Sequence, residues 1–187
     1  VIQRILEAAA FAEADPYRAV THNKGIMNGV DAVVVAMGND WRAIESAAHA
    51  YAVTDGQYRG LSQWQLEDDQ LTGTLTLPLP IGIVGGATKV LPLVAINQKM
   101  AKINSPEDLM KLIAAVGLAQ NFAALKALVT NGIQQGHMKM QMRSLAMSVG
   151  ATLSEVSILT KQLSQSDDPD EAQARRLLNQ IRNNKET

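Results

Sequence analysis

From Ile26 onward the apolar positions fall at 26, 30, 33, 37, 41 and 44, in alternating steps of four and three. Such a stripe covers one face of an α-helix, so the spacing predicts a single long helix reaching Tyr51. Gly29 and Gly38 lie within it. Each weakens a helix by ~1 kcal/mol relative to alanine, and small residues there imply close packing against another helix. Upstream, Ile2, Ile5, Leu6, Ala9 and Ala10 already repeat at helical spacing. No initiator methionine, signal-peptide pattern or capping residue precedes them, so the chain reads as the later part of a longer polypeptide. Proline disfavours helix in the residue before it, which ends this first helix near Asp15-Pro16. A short extended piece carrying Tyr17 and Arg18 then leads to the next helix.

The pattern changes after Tyr51. Leu71, Leu75 and Leu77 alternate with Thr72, Thr74 and Thr76, the period of a half-buried strand. Glu67-Asp68-Asp69 reads as a hairpin turn, with Trp64 and Leu66 on the preceding strand. Pro78 and Pro80 mark a sheet edge or strand exit. Residues 90–103 and 106–133 read as helices, the second opened by Ser105 as N-cap and Pro106 at the first helical position. Beyond Gly136, Thr152 with Glu155 and Asp168 with Glu171 stand in capping-box register. Residues from about 136 therefore form three short helices, an appendage with little core of its own. The fold class expected is helix-rich α+β: a long central helix packed with a small antiparallel sheet, plus a small C-terminal all-helical part.

Composition narrows the function classes. At 47% hydrophobic and 19% charged residues the chain is globular in character. A net charge of −1 gives no general attraction to nucleic acid or acidic membranes. No run of consecutive apolar residues approaches the ~20 that span a bilayer. Cysteine is absent, which removes disulfides and thiolate metal sites and fits a reducing cytoplasm. His22, His49 and His137 show no paired spacing, so no zinc site and no metal is expected. The segment "GIVGGATK" does not fit the phosphate-loop register and no GxGxxG occurs. Gly82, Gly85 and Gly86 read as backbone that turns tightly or approaches something closely.

Lys24 and Asn28, four residues apart, project from one face of the same helix. Asp40 lies sixteen residues beyond Lys24, roughly 24 Å away along a straight helix. Two readings are open: solvated ends of a core helix, or partners across an antiparallel two-fold, where Lys24 of one copy meets Asp40 of the other. His137 likewise reads either as a surface histidine at a helix start or as a proton donor on a mobile element.

Three segments bear on that choice: "NKGIMNGVDAVVVAMGNDWRAIESAAHAYA", "IGIVGGATKVLPL" and "AAVGLAQNFAALKALVTNGIQQGHMKM". Together, and in this order, they strongly resemble the C-terminal part of class II (bacterial-type) 3-hydroxy-3-methylglutaryl-coenzyme A reductase. The resemblance runs over essentially the whole chain and implies an oxidoreductase of the mevalonate and isoprenoid pathway. Such an enzyme reduces hydroxymethylglutaryl-CoA to mevalonate and free CoA with two NADH or NADPH. It further implies a cytoplasmic homodimer with active sites at the subunit interface, no membrane and no nucleic acid. Residues 1–135 then belong to the large substrate-binding and dimerisation domain, and 136–187 form the helical flap.

The same resemblance assigns roles. Lys24, Asp40 and His137 take the catalytic positions, and Arg18 and Asn28 the substrate-binding ones. An ammonium such as Lys24 stabilises a developing oxyanion, and an adjacent carboxylate such as Asp40 keeps it charged. An imidazolium such as His137 can protonate a departing thiolate, and Arg18 can pair with a carboxylate. The family's catalytic glutamate and its dinucleotide-binding domain would lie upstream of residue 1, so this chain alone is expected to be inactive. Gln141 stands where some relatives carry a second histidine and takes no role. The alternative is a non-catalytic, dimerising acyl-CoA-binding fragment.

Overall fold

The computed structural model describes residues 1–130, 132–166 and 169–183, the side chains of 87, 133–137 and 139 excepted. Helix α1 (Ile2–Ala14) ends where proline predicts, with Asp15 extended at φ −124° and ψ 116°. Helix α2 (Pro16–Ala36) begins at once. The expected extended piece at Tyr17 and Arg18 does not form. The Asp15 carboxylate accepts the N–H groups of Tyr17 at 2.7 Å and Arg18 at 3.0 Å. Pro16 fills the first helical position, where an N–H would have no partner.

The long helix expected to reach Tyr51 is two helices. Gly38 adopts φ +70°; its N–H donates to Val35 O at 3.1 Å, and that of Asn39 to Val34 O at 2.9 Å. This paired closure satisfies the last carbonyls of α2 and ends it. Asp40 then caps α3 (Trp41–Tyr51), accepting the Arg42 N–H at 3.0 Å. Gly38 is therefore a helix terminator rather than a packing glycine inside a helix.

A short antiparallel pair, β1 (Val53–Thr54) and β2 (Gln57–Tyr58), follows. The predicted hairpin comes next, with β3 (Ser62–Glu67) antiparallel to β4 (Gln70–Leu75). Its two turn residues, Asp68 and Asp69, have φ of 48° and 60°. Pro78 and Pro80 lie beyond the strand exit. Helices α4 (Ala87–Val90), α5 (Pro92–Met100) and α6 (Pro106–Val129) complete the first compact unit, Val1–Thr130. Ser105 opens α6 as expected: its Oγ accepts the Asp108 N–H at 3.1 Å, and the Asp108 carboxylate accepts the Ser105 N–H at 3.2 Å.

Helix α6 buries Leu109, Ile113, Gly117, Asn121, Leu125 and Val129, one residue in every four, along a single line. That line packs on the buried side of α2. A Cβ on Gly29 would sit 2.8 Å from Gln120 Cβ, and one on Gly117 2.9 Å from Val30 Cγ2. The closeness expected at Gly29 is thus present, but the partner is α6 of the same chain. By length and mean apolarity alone α6 could cross a membrane, although Glu107, Asp108, Lys111 and Lys126 interrupt its apolar run; its buried line packs as part of the core of the first unit.

The second unit, Asn131–Thr187, contains α7 (Ile133–Ser148), α8 (Leu153–Leu163) and α9 (Glu171–Asn183). It has a core of its own, contrary to expectation, formed by Met142, Ala146, Leu159, Leu163, Ala174 and Leu178 among others. The Glu155 carboxylate accepts the Thr152 N–H at 2.7 Å. It is also bound by the Arg182 guanidinium at 3.0 and 3.1 Å, which holds the carboxyl down at a pKa of about 2. Asp168 lies outside the described residues. Asp170 supports the start of α9, accepting the Gln173 N–H at 2.7 Å. Helices with two small antiparallel sheets make the fold helix-rich α+β.

Candidate active site

Helix α2 carries two different polar faces. On the outward face Lys24 and Asn28 are both exposed, and Lys24 Nζ donates to Asn28 Oδ1 at 3.3 Å. Their four-residue spacing brings them together as the sequence predicts. Arg18, half-buried near the start of α2, donates from Nη1 to Thr21 Oγ1 at 2.7 Å. Burial pulls its pKa below the ordinary arginine value. Asp40 stands on a different helix and pairs with Arg42 at 3.2 Å. This contact, with the capping N–H bonds, holds its carboxyl below the usual range. Among the described residues Lys24 has no ion-pair partner. His137 falls in α7, and its side chain lies outside the described residues.

The inward face holds a buried polar network that sequence reasoning missed. Trp64 Nε1–H and Ser62 Oγ–H both donate to Asn121 Oδ1, at 2.7 and 2.8 Å. With the Ser62 proton so committed, its oxygen accepts from His22 Nε2–H at 2.7 Å. The Ser62 contact is much shorter than the 3.4 Å approach of Asn121 Nδ2 to the same nitrogen and favours the Nε2–H tautomer, which leaves His22 Nδ1 buried and without a partner. Protonating that nitrogen would bury a charge, and Arg18 lies near enough to oppose it. Burial first and Arg18 second push the His22 pKa down to about 4.

Asn23, also fully buried, bonds the chain leading into β3. Its Nδ2 donates to Arg59 O at 2.9 Å and to Tyr58 Oη at 3.0 Å, and its Oδ1 accepts the Leu61 N–H at 2.8 Å. Tyr58 Oη lies 2.7 Å from His49 Nδ1, whose Nε2 faces Glu45 at 2.8 Å. Glu45 in turn meets Asp31. Burial, then the hydrogen bond and charge of Glu45, raise the Asp31 pKa to about 6. The signal for these residues was available: positions 22 and 23 fall four and three before Ile26, on the stripe itself. A polar residue on a buried stripe must find hydrogen-bond partners.

No group of three or more histidine, aspartate or glutamate side chains forms a metal site among the described residues. The glycine-rich segment turns through Gly85 and Gly86 at φ +86° and +48°. It leads into α4, only four residues long, which is too short to offer a dinucleotide a helix N-terminus.

An exposed ammonium bonded to an amide, with a guanidinium earlier on the same helix, places two cationic groups on α2, an arrangement able to attract an anionic group. The particular family follows from comparison. Residues 1–142 match the family described as hydroxymethylglutaryl-coenzyme A reductase, and the chain belongs to that family. A 3-hydroxy-3-methylglutaryl-coenzyme A reductase of Archaeoglobus fulgidus is 52% identical over 157 residues, covering 83% of this chain and 36% of the relative. A class II reductase from Streptococcus pneumoniae, solved with NADPH in open conformations, is 50% identical with a TM-score of 0.68. That match covers 97% of this chain and 44% of the solved one. A second structure of the Streptococcus pneumoniae enzyme gives 49% identity and a TM-score of 0.67, covering 96% and 43%. The chain thus spans less than half the length of these relatives.

Proposed function

We propose that the chain forms part of a cytoplasmic, homodimeric class II reductase that converts hydroxymethylglutaryl-CoA to mevalonate and CoA. NADH or NADPH, when bound, supplies the two hydrides. The sequence carries no dinucleotide fingerprint and its glycine-rich segment opens only a four-residue helix, so the cofactor's main site is assigned elsewhere in the complete gene product. The observation that carries the reading is the Lys24–Asn28 pair at 3.3 Å, exposed and free of any carboxylate among the described residues. Family membership supports it.

Lys24 stabilises the oxyanion that develops as the thioester carbonyl is reduced, and again as the aldehyde is reduced. Asn28 orients the ammonium without neutralising it. Arg18 pairs with the substrate carboxylate. His137 protonates the departing CoA thiolate, whose pKa is near that of cysteine, and residues 136–187 act as a flap that excludes water. Asp40 of one subunit keeps Lys24 of the other charged across the two-fold.

The test is Lys24→Ala and Asp40→Ala in the complete gene product, followed by reduction of hydroxymethylglutaryl-CoA with NADH and with NADPH. Each substitution is expected to abolish turnover; near-parental rates in either refute its assignment. A complete gene product that binds the thioester but never oxidises the nicotinamide supports the non-catalytic alternative instead.

A further inference from the structure

The residue immediately before Asp40 makes the most complete side-chain attachment to backbone in the first unit. Asn39 Oδ1 accepts the Gly82 N–H at 2.8 Å, and Asn39 Nδ2 donates to Gly82 O at 2.9 Å. The same Nδ2 reaches Met37 O at 3.2 Å. One primary amide thus grips both polar groups of one residue, 43 positions away in sequence. Two bonds from a planar group fix orientation as well as distance.

Neighbouring attachments converge on the same corner. Asn97 Nδ2 donates to Ala36 O at 2.8 Å, one of the carbonyls that the end of α2 leaves without a helical partner. Gln98 Nε2 donates to Ile83 O at 3.3 Å, and a Cβ on Gly38 would lie 3.0 Å from Val94 Cγ2. Among the described residues Asp40 itself bonds only at the start of its own helix, to the N–H and Nε of Arg42. Those bonds set its rotamer relative to α3. They do not set where the start of α3 stands.

We propose that Asn39 is a positioning residue: it ties the Gly82–Gly86 loop to the corner between α2 and α3 and thereby fixes the place of the Asp40 carboxylate. This rests on the reading of Asp40 as a site residue given above. Asn39 touches no reacting atom. Its loss leaves the Gly82 N–H and C=O unpaired and frees the corner to shift, and a displacement of about 1 Å in a catalytic group can lower a rate by about 10²-fold.

The experiment compares Asn39→Ala with the parent, both as the complete gene product, by amide hydrogen exchange and steady-state kinetics. The Gly82 amide is expected to exchange at least about tenfold faster in the variant, as loss of a stabilising bond of ~1.4 kcal/mol would give, while Ile113 and Leu125 in α6 stay protected. Alongside, kcat falls about 10- to 100-fold with KM within about threefold, the split expected when geometry rather than substrate binding is lost. Unchanged Gly82 exchange overturns the attachment. Faster exchange with an unchanged kcat overturns the positioning role. A parent without reductase activity overturns the reading of the site and with it the catalytic consequence, while the Gly82 result still decides the attachment. Should Asn39→Ala fail to fold, Asn39→Asp retains the bond to the Gly82 N–H and loses both donor bonds. It is then expected to keep Gly82 protected and still lower kcat, and a parental kcat in that variant counts against the proposal.

Discussion

Acid should weaken the first unit through one imidazole. His22 is 2% exposed, donates from Nε2 to Ser62, and presents a bare Nδ1 to the interior. In the unfolded chain it titrates near 6.5; in the fold its pKa is about 4. A histidine whose folded pKa is depressed contributes stability that is fully present above the unfolded value and is lost as the pH falls, because the unfolded state binds the proton more readily. At ~1.36 kcal/mol per pH unit, the loss is about 2 kcal/mol at about pH 5 and about 3 kcal/mol at about pH 4. Other groups also titrate in that range, so the quantity to measure is a difference. Urea unfolding of the parent and of His22→Gln, followed from about pH 7.5 to 4.5, isolates it, since glutamine can still donate toward Ser62 but cannot titrate. The parent is expected to lose about 2 kcal/mol more than the variant by about pH 5. Parallel pH dependences would refute the argument. So would an NMR titration of the parent that places His22 near 6.5, a readout that survives if the variant does not fold.

Other substitutions probe separate parts of the structure. Gly29→Ala puts a methyl group 2.8 Å from Gln120 Cβ; overpacking of about 1–3 kcal/mol outweighs the ~1 kcal/mol gained in helix propensity, leaving net destabilisation measurable by thermal melting. An unchanged or raised Tm would mean that α2 and α6 are not this close. Asp31, with its pKa raised to about 6, opposes folding when ionised, and that burden grows as pH rises from about 4 through 6. Asp31→Asn should therefore raise Tm at about pH 7.5, with the gain shrinking below about pH 5; a lowered Tm at the higher pH contradicts the sign. Replacing Asp68-Asp69 by Asn-Gly suits two successive positive φ values and should stabilise the hairpin by about 0.5–1 kcal/mol. A loss of stability would show that the aspartates make contacts the turn requires.

The sequence revealed helices more readily than where they stop. The α6 start was legible because Ser105-Pro106 signals it within two residues. Asp15-Pro16 carries the same signal for α2, but a proline that ends one helix and opens the next looks, in sequence alone, like the end of α1 followed by extended chain at Tyr17 and Arg18. The continuous stripe from Ile26 to Ile44 concealed the break at Gly38, since a closed helix end followed at once by an Asp cap disturbs the periodicity very little. Lys24 with Asn28 was legible because both lie on one helix and local geometry decides their meeting. The His22–Ser62–Asn121 network was not, because its members come from α2, β3 and α6 and only the tertiary fold joins them. For Arg18, Lys24, Asn28 and Asp40 the motifs carried the assignment, whereas the importance of Asn39 emerged only from its bonds to Gly82.

That buried network also constrains the order in which the molecule can be made. His22 and Asn121 are 99 residues apart, and Asn121 joins Ser62 across 59. During synthesis at roughly 5–20 residues per second, about 5–20 s separate the appearance of His22 from that of Asn121. Throughout that interval α2 has no α6 to receive it, so Ile26 and Val30 remain without their final cover and the polar groups beside them without their final partners. The β3–β4 hairpin can close locally, but the first unit cannot complete its core until most of α6 has emerged. A nascent chain arrested between α5 and α6 would therefore be a natural client for chaperones.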